Sequence, residues 1–305
     1  MADMKLLAVS RACGVALQGK ASHFVIRNLN VVYVANDGYN IHGAITHARF
    51  ENCNAFYCFD EGFSSHDKCE TTLDGAVYVH CDNGIANVNQ CTSVTRNVVL
   101  AHARSVGFLI KTKGAPRPHT IENAILVDNP SQISVNETHG DNLLIVRTPA
   151  CKRASALHMG RDVQFSRVTA VGCTALGRVG AGSEAVLARC FFGPGQKGFH
   201  ARAADPAAVL QLKDVLFGSG LTMEWGTKYP WQTRPLAEWT AEAGDAAMGC
   251  REIAVDIHTA LVTGTAPDAL PEEAGCSADL VERYVAFCQE KEALLQKALD
   301  MAWGE

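Results

Sequence analysis

The stretch FDEGFSSHDKC, residues 59 to 69, places Asp60, Glu61, His66 and Asp67 around one glycine and two serines. Carboxylates held close together raise one another's pKa, as a general acid requires, and histidine titrates near neutrality. Three further stretches carry related groups: NDGYNIH from residue 36, DNGIANV from 82 and SVGFLIK from 105. Aligned on their glycines, they set Asn36, Asp60, Asp82 and Ser105 two positions before it and Asp37, Glu61, Asn83 and Val106 one before. His42, His66, Val88 and Lys111 stand four positions after it.

Two chemistries fit such columns. Glycoside hydrolysis needs a proton donor and a second carboxylate about 5 to 9.5 Å apart, which Asp60 with Asp82, or Asp37 with Asp82, can supply. Elimination from a uronate-containing chain needs a cation to neutralise the carboxylate and a base for the neighbouring proton. For that, Asp60, Glu61 and Asp82 offer oxygen ligands to Ca²⁺, with Lys111 or His66 as base. His42, Asp67 and His80 join the set as substrate contacts. Against both stands turn chemistry, because Asp and Asn before Gly favour turns. It accounts for Asp37, Asp60 and Asp82 one at a time but not for Glu61, His66 and Asp67 in one short segment. His80, Cys81, Asp82 and Cys91 suggest a metal set, but strand alternation divides them between two faces.

What positions these columns is a repeat. Gly38, Gly62, Gly84 and Gly107 recur at intervals of 24, 22 and 23 residues. Asn28, Asn52 and Asn97 stand ten residues before three of those glycines, Asp74 holds that place before Gly84, and Asn123 continues the series. SQISVNE, SALHMG, ALGRVG, GFHARA around Gly198 and GLTMEW around Gly220 keep the beat more faintly. Each unit alternates with period two and is punctuated by Asn, Asp and Gly, and helical periodicity is absent before about residue 235. A repeat of this length made of short strands is one coil of a parallel β-solenoid, with each strand bonded to its equivalent a coil away. Stacking at about 4.8 Å sets like over like, so the residues one and three after each glycine (Tyr39 and Ile41, Phe63 and Ser65, Ile85 and Asn87, Phe108 and Ile110) are expected to point inward.

The G-[FYI]-x-[IS] and I-x-N-[LAV] repeats make residues 20 to 226 resemble the right-handed parallel β-helix, or pectin-lyase-like, superfamily. The resemblance implies an all-β, right-handed parallel β-helix of about nine coils and a groove that acts on a polysaccharide. A more distant similarity to polygalacturonases rests on NDG, DEG, VHC at 79 to 81 and LIK at 109 to 111. It implies Asp37, Asp60, Lys111 and His80 as site residues, although none of the four family motifs is complete. The expected function is a polysaccharide lyase or glycoside hydrolase. The competing expectation is a non-catalytic solenoid for glycan binding or structural assembly.

The rest of the chain brackets this core. Residues 1–21 are expected as an N-terminal cap, 22–226 as the β-helix, 227–263 as a mixed connection, 264–276 as a linker and 277–305 as a C-terminal helix capped by Ser277. That helix carries an apolar stripe, Leu280, Val281, Tyr284, Val285, Cys288, Leu294, Leu295, Ala298 and Leu299, for a flank of the solenoid or a second copy of the chain. A net charge of −5 and a pI near 6.1, with scattered Lys and Arg, give no stripe for nucleic acid. No apolar run reaches the roughly 18 residues of a membrane span. Twelve cysteines without C-x-x-C spacing read as free, packed thiols. The compartment is left open, being secreted or cell-surface if a leader has been removed and cytoplasmic otherwise. Trp225, Tyr229 and Trp231 offer flat faces for sugar stacking, and FFGPGQKG, 191 to 198, lacks the Ser or Thr of a phosphate loop.

Overall fold

The structure is a computed structural model and describes residues 12–194, 197–253, 257–268, 271 and 273–303. The chain winds into a parallel β-solenoid of about nine turns followed by a C-terminal helix. A full turn crosses three sheet faces, as three separate strands in Phe63–Ser65, Glu70–Asp74 and Val77–Val79 or with one long strand such as Tyr39–Glu51 running across two of them. On the glycine face, Tyr39, Phe63, Ile85, Phe108, Ile133, Leu157, Gly177, Phe199 and Met223 stand in one parallel register. The faint later repeats therefore take their expected places, with one adjustment: Thr222, not Gly220, holds the column position, because Met223 is the residue paired with Phe199.

Alternation decides which side chains fill the interior. Tyr39, Ile41, Phe63, Ser65, Ile85 and Phe108 are 0% exposed, and Asn87 and Ile110 only 1%, as the inward positions require. The glycine column exists because successive turns approach there without room for a side chain. A Cβ on Gly62 would lie 2.7 Å from the carbonyl oxygen of Gly84 and 2.9 Å from Cγ of Tyr78.

The bend before the third face is made by asparagines in the left-handed conformation: Asn28, Asn52, Asn97, Asn123 and Asn142 have φ between 51° and 57°. That conformation costs an ordinary L-residue about 1–2 kcal/mol, and here amides along the stack offset it. Asn52 donates to Asn28 at 3.2 Å, Asn123 to Asn97 at 3.3 Å and Asn142 to Asn123 at 2.8 Å. In the coil between Asn52 and Asn97 the bend itself is Gly75, at φ 74°, rather than Asp74. Asp74 sits one residue earlier and accepts from Asn97 at 2.7 Å, so the ladder continues through a carboxylate.

The ends differ from a simple cap at each side. Strand Val15–Arg27 already pairs along Tyr39–Glu51, so solenoid pairing begins inside the segment expected as a cap; residues 1–11 lie outside the described chain. At the other end, Gln232–Pro235 folds back antiparallel on Thr222–Trp225, and helix α1 (Leu236–Glu242) inserts Leu236 and Trp239 into the same interior core. Helix α2 (His258–Val262) follows. Helix α3 (Ala278–Trp303) runs over the outside of the third face, where Leu280, Val281, Tyr284 and Leu295 of the expected stripe, with Phe287, join Val79, Ala101, Val127, Leu144 and Val146 in a second core. The stripe from Leu280 to Leu295 is thus covered by its own chain, and the Ala298 side chain lies outside the described residues. Ser277 caps α3 through its Oγ, 3.4 Å from the Leu280 amide, and exchanges hydrogen bonds with Asn142, which fastens the helix to the last rung of the asparagine ladder.

All twelve cysteines are free, and eight are buried, several donating Sγ–H to backbone carbonyls as Cys81 does to Ala55 and Val79. No helix among the described residues is long and apolar enough to cross a membrane.

Candidate functional site: a carboxyl–histidine groove on the glycine face

The first turns of the glycine face carry a groove of about 940 Å³ lined by Asp37, Asp60, Glu61, His42, His66 and Asp67, with Asn40 and Cys13 beside them. Six of the nine expected site residues therefore meet in one place. The turn before the face supplies the carboxyls, and the outward positions of strands Tyr39–Glu51 and Phe63–Ser65 and the turn after them supply the rest.

The three carboxyls form a continuous cluster, with one oxygen of each of Asp37, Asp60 and Glu61 within 4.8 Å of the others. Asp37 is only 3% exposed and takes a hydrogen bond from Asn40. It also lies 3.3 Å from the Glu61 amide through Oδ1. Burial raises its pKa, opposed by the bonds it accepts from Glu61 and Asn40. Burial, with the Asp37 carboxyl beside it, pushes Glu61 up to about 7, opposed by a bond from Asn83 at 3.0 Å. Asp60 also rises to about 7, through burial first and then repulsion by Glu61 and Asp82. Asp37, which accepts from Asn40 and from the Glu61 amide, is the member best stabilised as a carboxylate and ionises first, while Asp60 and Glu61 both titrate near 7 and share protons as a pair.

Across the groove the His42 and His66 rings stack at 4.0 Å with 7° between their planes. His66 Nε2 lies 2.6 Å from the Ser64 hydroxyl, and burial followed by repulsion from His42 lowers its pKa to about 4. At neutral pH His66 is therefore an uncharged hydrogen-bonding group. Asp67 lies 3.6 Å from His42 Nδ1 and accepts from the Gly43 amide at 3.1 Å.

Three expected residues lie elsewhere. Asp82 stacks one turn from Asp60, close enough to perturb it, but turns toward Arg104 at 3.6 Å and Ser105 at 3.2 Å and does not line the groove. Lys111 shares the outward column of His42 and His66 but stands two turns beyond His66, about 10 Å along the stack; it lines a different depression. His80 is on the bend after the third face, in a column of rings formed by Tyr33, Tyr57, His80 and His102 at spacings of 5.0, 4.8 and 5.2 Å. Repeat alignment could not separate that bend from the groove, since both precede a glycine-face strand. The aromatic trio also divides. Trp225 is buried at the solenoid end, Tyr229 is 83% exposed and Trp231 packs on His200. The stretch FFGPGQKG includes residues 195–196, outside the described chain.

Sequence reasoning missed Asn40 and Ser64. Both are two residues after a column glycine, the outward position next to the one that was tracked. No protein-family model, curated protein or solved structure matches the chain.

Proposed function

We propose that the groove hydrolyses a polysaccharide, with Asp60 as the general acid and Glu61 as the carboxylate that meets the anomeric carbon. The observation that carries the reading is the carboxyl cluster itself: oxygens within 4.8 Å of one another, with Asp60 and Glu61 titrating near 7. Carboxyls inside that distance are closer to the roughly 5 Å spacing of hydrolases that retain anomeric configuration than to the wider spacing of those that invert it. Asp60 gives its proton to the glycosidic oxygen as the C–O bond breaks, and the Glu61 carboxylate bonds to the carbon. Water deprotonated by Asp60 then releases the sugar and restores both groups. Asp37, too buried to touch substrate, sets the proton order behind them. His66, kept uncharged by burial, and Asn40 offer donors and acceptors to sugar hydroxyls, with Ser64 orienting the His66 ring from beneath.

Elimination is supported less well. Among the described residues the groove's lining contains no Lys or Arg to neutralise a uronate carboxylate, and Lys111, the base assigned by sequence, is two turns from His66.

The test is a panel of acidic and neutral polysaccharides, following new reducing ends and absorbance near ~235 nm. Reducing ends without the absorbance, lost in Asp60→Asn and Glu61→Gln while the β-rich circular dichroism is kept, are expected. Unsaturated products would replace hydrolysis by elimination. A folded protein that turns over nothing on the panel would leave a non-catalytic glycan-binding solenoid as the better reading.

A further inference from the structure

Five turns along the same face the chemistry inverts. The outward column that holds His42, His66 and Lys111 continues through Asn136, Gly160, Gly180 and Arg202, as the hydrogen bonds from Gly160 N to Val135 O (2.7 Å), Gly180 N to Met159 O (3.0 Å) and Arg202 N to Val179 O (3.0 Å) show. Two successive glycines remove the side chains from the middle of that column. The result is a depression of about 590 Å³ with Gly160 and Gly180 on its floor and Lys111, Arg161, Arg178 and Arg202 around it. His158 stands beside Arg178 in the adjoining column.

The guanidinium groups of Arg178 and Arg202 and the ammonium of Lys111 have no hydrogen-bond or ion-pair partner among the described residues. Arg161 is paired with Glu137. That carboxylate is already taken, accepting in addition from the amides of Gly114 and Ala115 at 3.2 and 3.1 Å. Glu224 belongs to a neighbouring depression with His200. Three unpaired cations around a glycine floor make this depression locally positive in a chain of net charge −5. Arg is the side chain best suited to grip a planar or tetrahedral oxyanion in two-point fashion.

We infer that this depression is an anion-binding subsite that takes the carboxylate or sulfate groups of an acidic polysaccharide, held along the glycine face so that a more distant part of the same chain enters the carboxyl groove. The inference rests on the hydrolase reading for the role of the groove, but the depression stands on its own geometry. From the level of His66 to that of Gly160 is four turns, about 19 Å along the axis. A linear glycan spans that easily, whereas a single small anion does not link the two sites.

Binding is measured by calorimetry on the full chain with a short uronic-acid oligomer, its methyl-esterified form and a sulfated oligomer of the same length. The uronate or the sulfated oligomer is expected to bind, and the ester at least roughly tenfold more weakly, since esterification removes the charge and leaves the rings. Arg178→Ala and Arg202→Ala should each weaken binding by about tenfold and flatten its salt dependence, with Arg178→Lys intermediate. Equal affinity for the ester, no binding of either charged oligomer, or an Arg178→Ala/Arg202→Ala variant that binds normally would overturn the inference. So would a salt-sensitive dimer abolished by those same substitutions, because the acidic groove of a second copy would then be the anion. Arginine-dependent binding without turnover on any substrate would sink the hydrolase reading and leave the subsite standing.

Discussion

The proton order proposed for the groove has a thermodynamic signature that needs no substrate. In the folded chain Asp60 titrates near 7 against 3.8 for a free side chain, and Glu61 near 7 against 4.5. A carboxyl whose pKa is raised on folding binds a proton more tightly in the native state. Its contribution is therefore fully present below the unfolded pKa and is lost as pH rises through the folded one. The window runs from about pH 4 to just above pH 7. At about 1.4 kcal/mol per pH unit, the rise of one carboxyl from 3.8 to about 7 corresponds to roughly 4 kcal/mol. Water reaches both side chains and they share protons, so the pair together should lose much less, about 2 kcal/mol.

The measurement is the urea midpoint of wild type and of Asp60→Asn/Glu61→Gln at pH 5 and pH 8.5. Histidines complicate the wild-type curve alone. His66, His102 and His119 are held near 4 by burial, so they add stability as pH rises toward 6.5, the opposite sign. All three are present in both proteins and cancel in the difference. The amide variant should gain on the wild type by about 2 kcal/mol between the two pH values. A difference that does not change with pH would refute the raised pKa values. A wild type that gains on the variant as pH rises would show that the carboxyls are held ionised by a cation.

The fold makes three more predictions, each read by urea or thermal unfolding. Asn123→Ala should cost about 2–3 kcal/mol, combining left-handed backbone strain with loss of the bonds to Asn97 and Asn142; Asn123→Gly should recover about half, and an equal cost for both would remove the strain from the account. Gly62→Ala should cost about 1–3 kcal/mol, because its Cβ meets the backbone of Gly84 and the ring of Tyr78; an unchanged melting temperature would mean that the turns can separate freely. Tyr284→Ala should cost about 3–5 kcal/mol and raise binding of an apolar dye, while Tyr284→Phe, which loses only the 2.6 Å bond to Leu261 O, should cost about 1 kcal/mol; equal costs would place the helix's stability in that one hydrogen bond.

The solenoid was legible because stacking forces one constraint on many turns. Gly38, Gly62, Gly84 and Gly107 repeat since each turn crowds the next at that point, and the asparagines repeat since each amide bonds to its neighbour. Asp74 was misplaced by one residue because Gly75 makes the same bend without an asparagine, and only the register shows which of the two sits over Asn52. The destination of helix α3 was present in the sequence in a different form. The runs NAILV and NLLIV are apolar without alternation, which marks strands buried on both sides. In Asn123–Val127 and Asn142–Val146 the outward residues are the floor on which Leu280 and Tyr284 rest. His80 looked like a member of the acidic site because a linear repeat does not say which of two bends a residue occupies.

The two halves of the glycine face were unequally legible for a physical reason that bears on function. In the early turns the column glycine marks the register, so the outward polar residues before and after it fall into line and their chemistry can be read. In the later turns Gln132, Ala156, Leu176 and Thr222 replace that glycine, Gly198 alone keeps it, and the register is carried by hydrogen bonding. The glycines that remain prominent there, Gly160 and Gly180, lie on the outward side and shape a surface rather than a turn. A glycine in the column before the strand therefore reports packing between coils, while glycines on successive rungs of an outward column strip side chains from the surface there. By that argument the cations around Gly160 and Gly180 belong to a site as much as the carboxyls around Gly62 do. On the proposed reading, a ligand that satisfies both is extended, anionic along part of its length and cleavable along another.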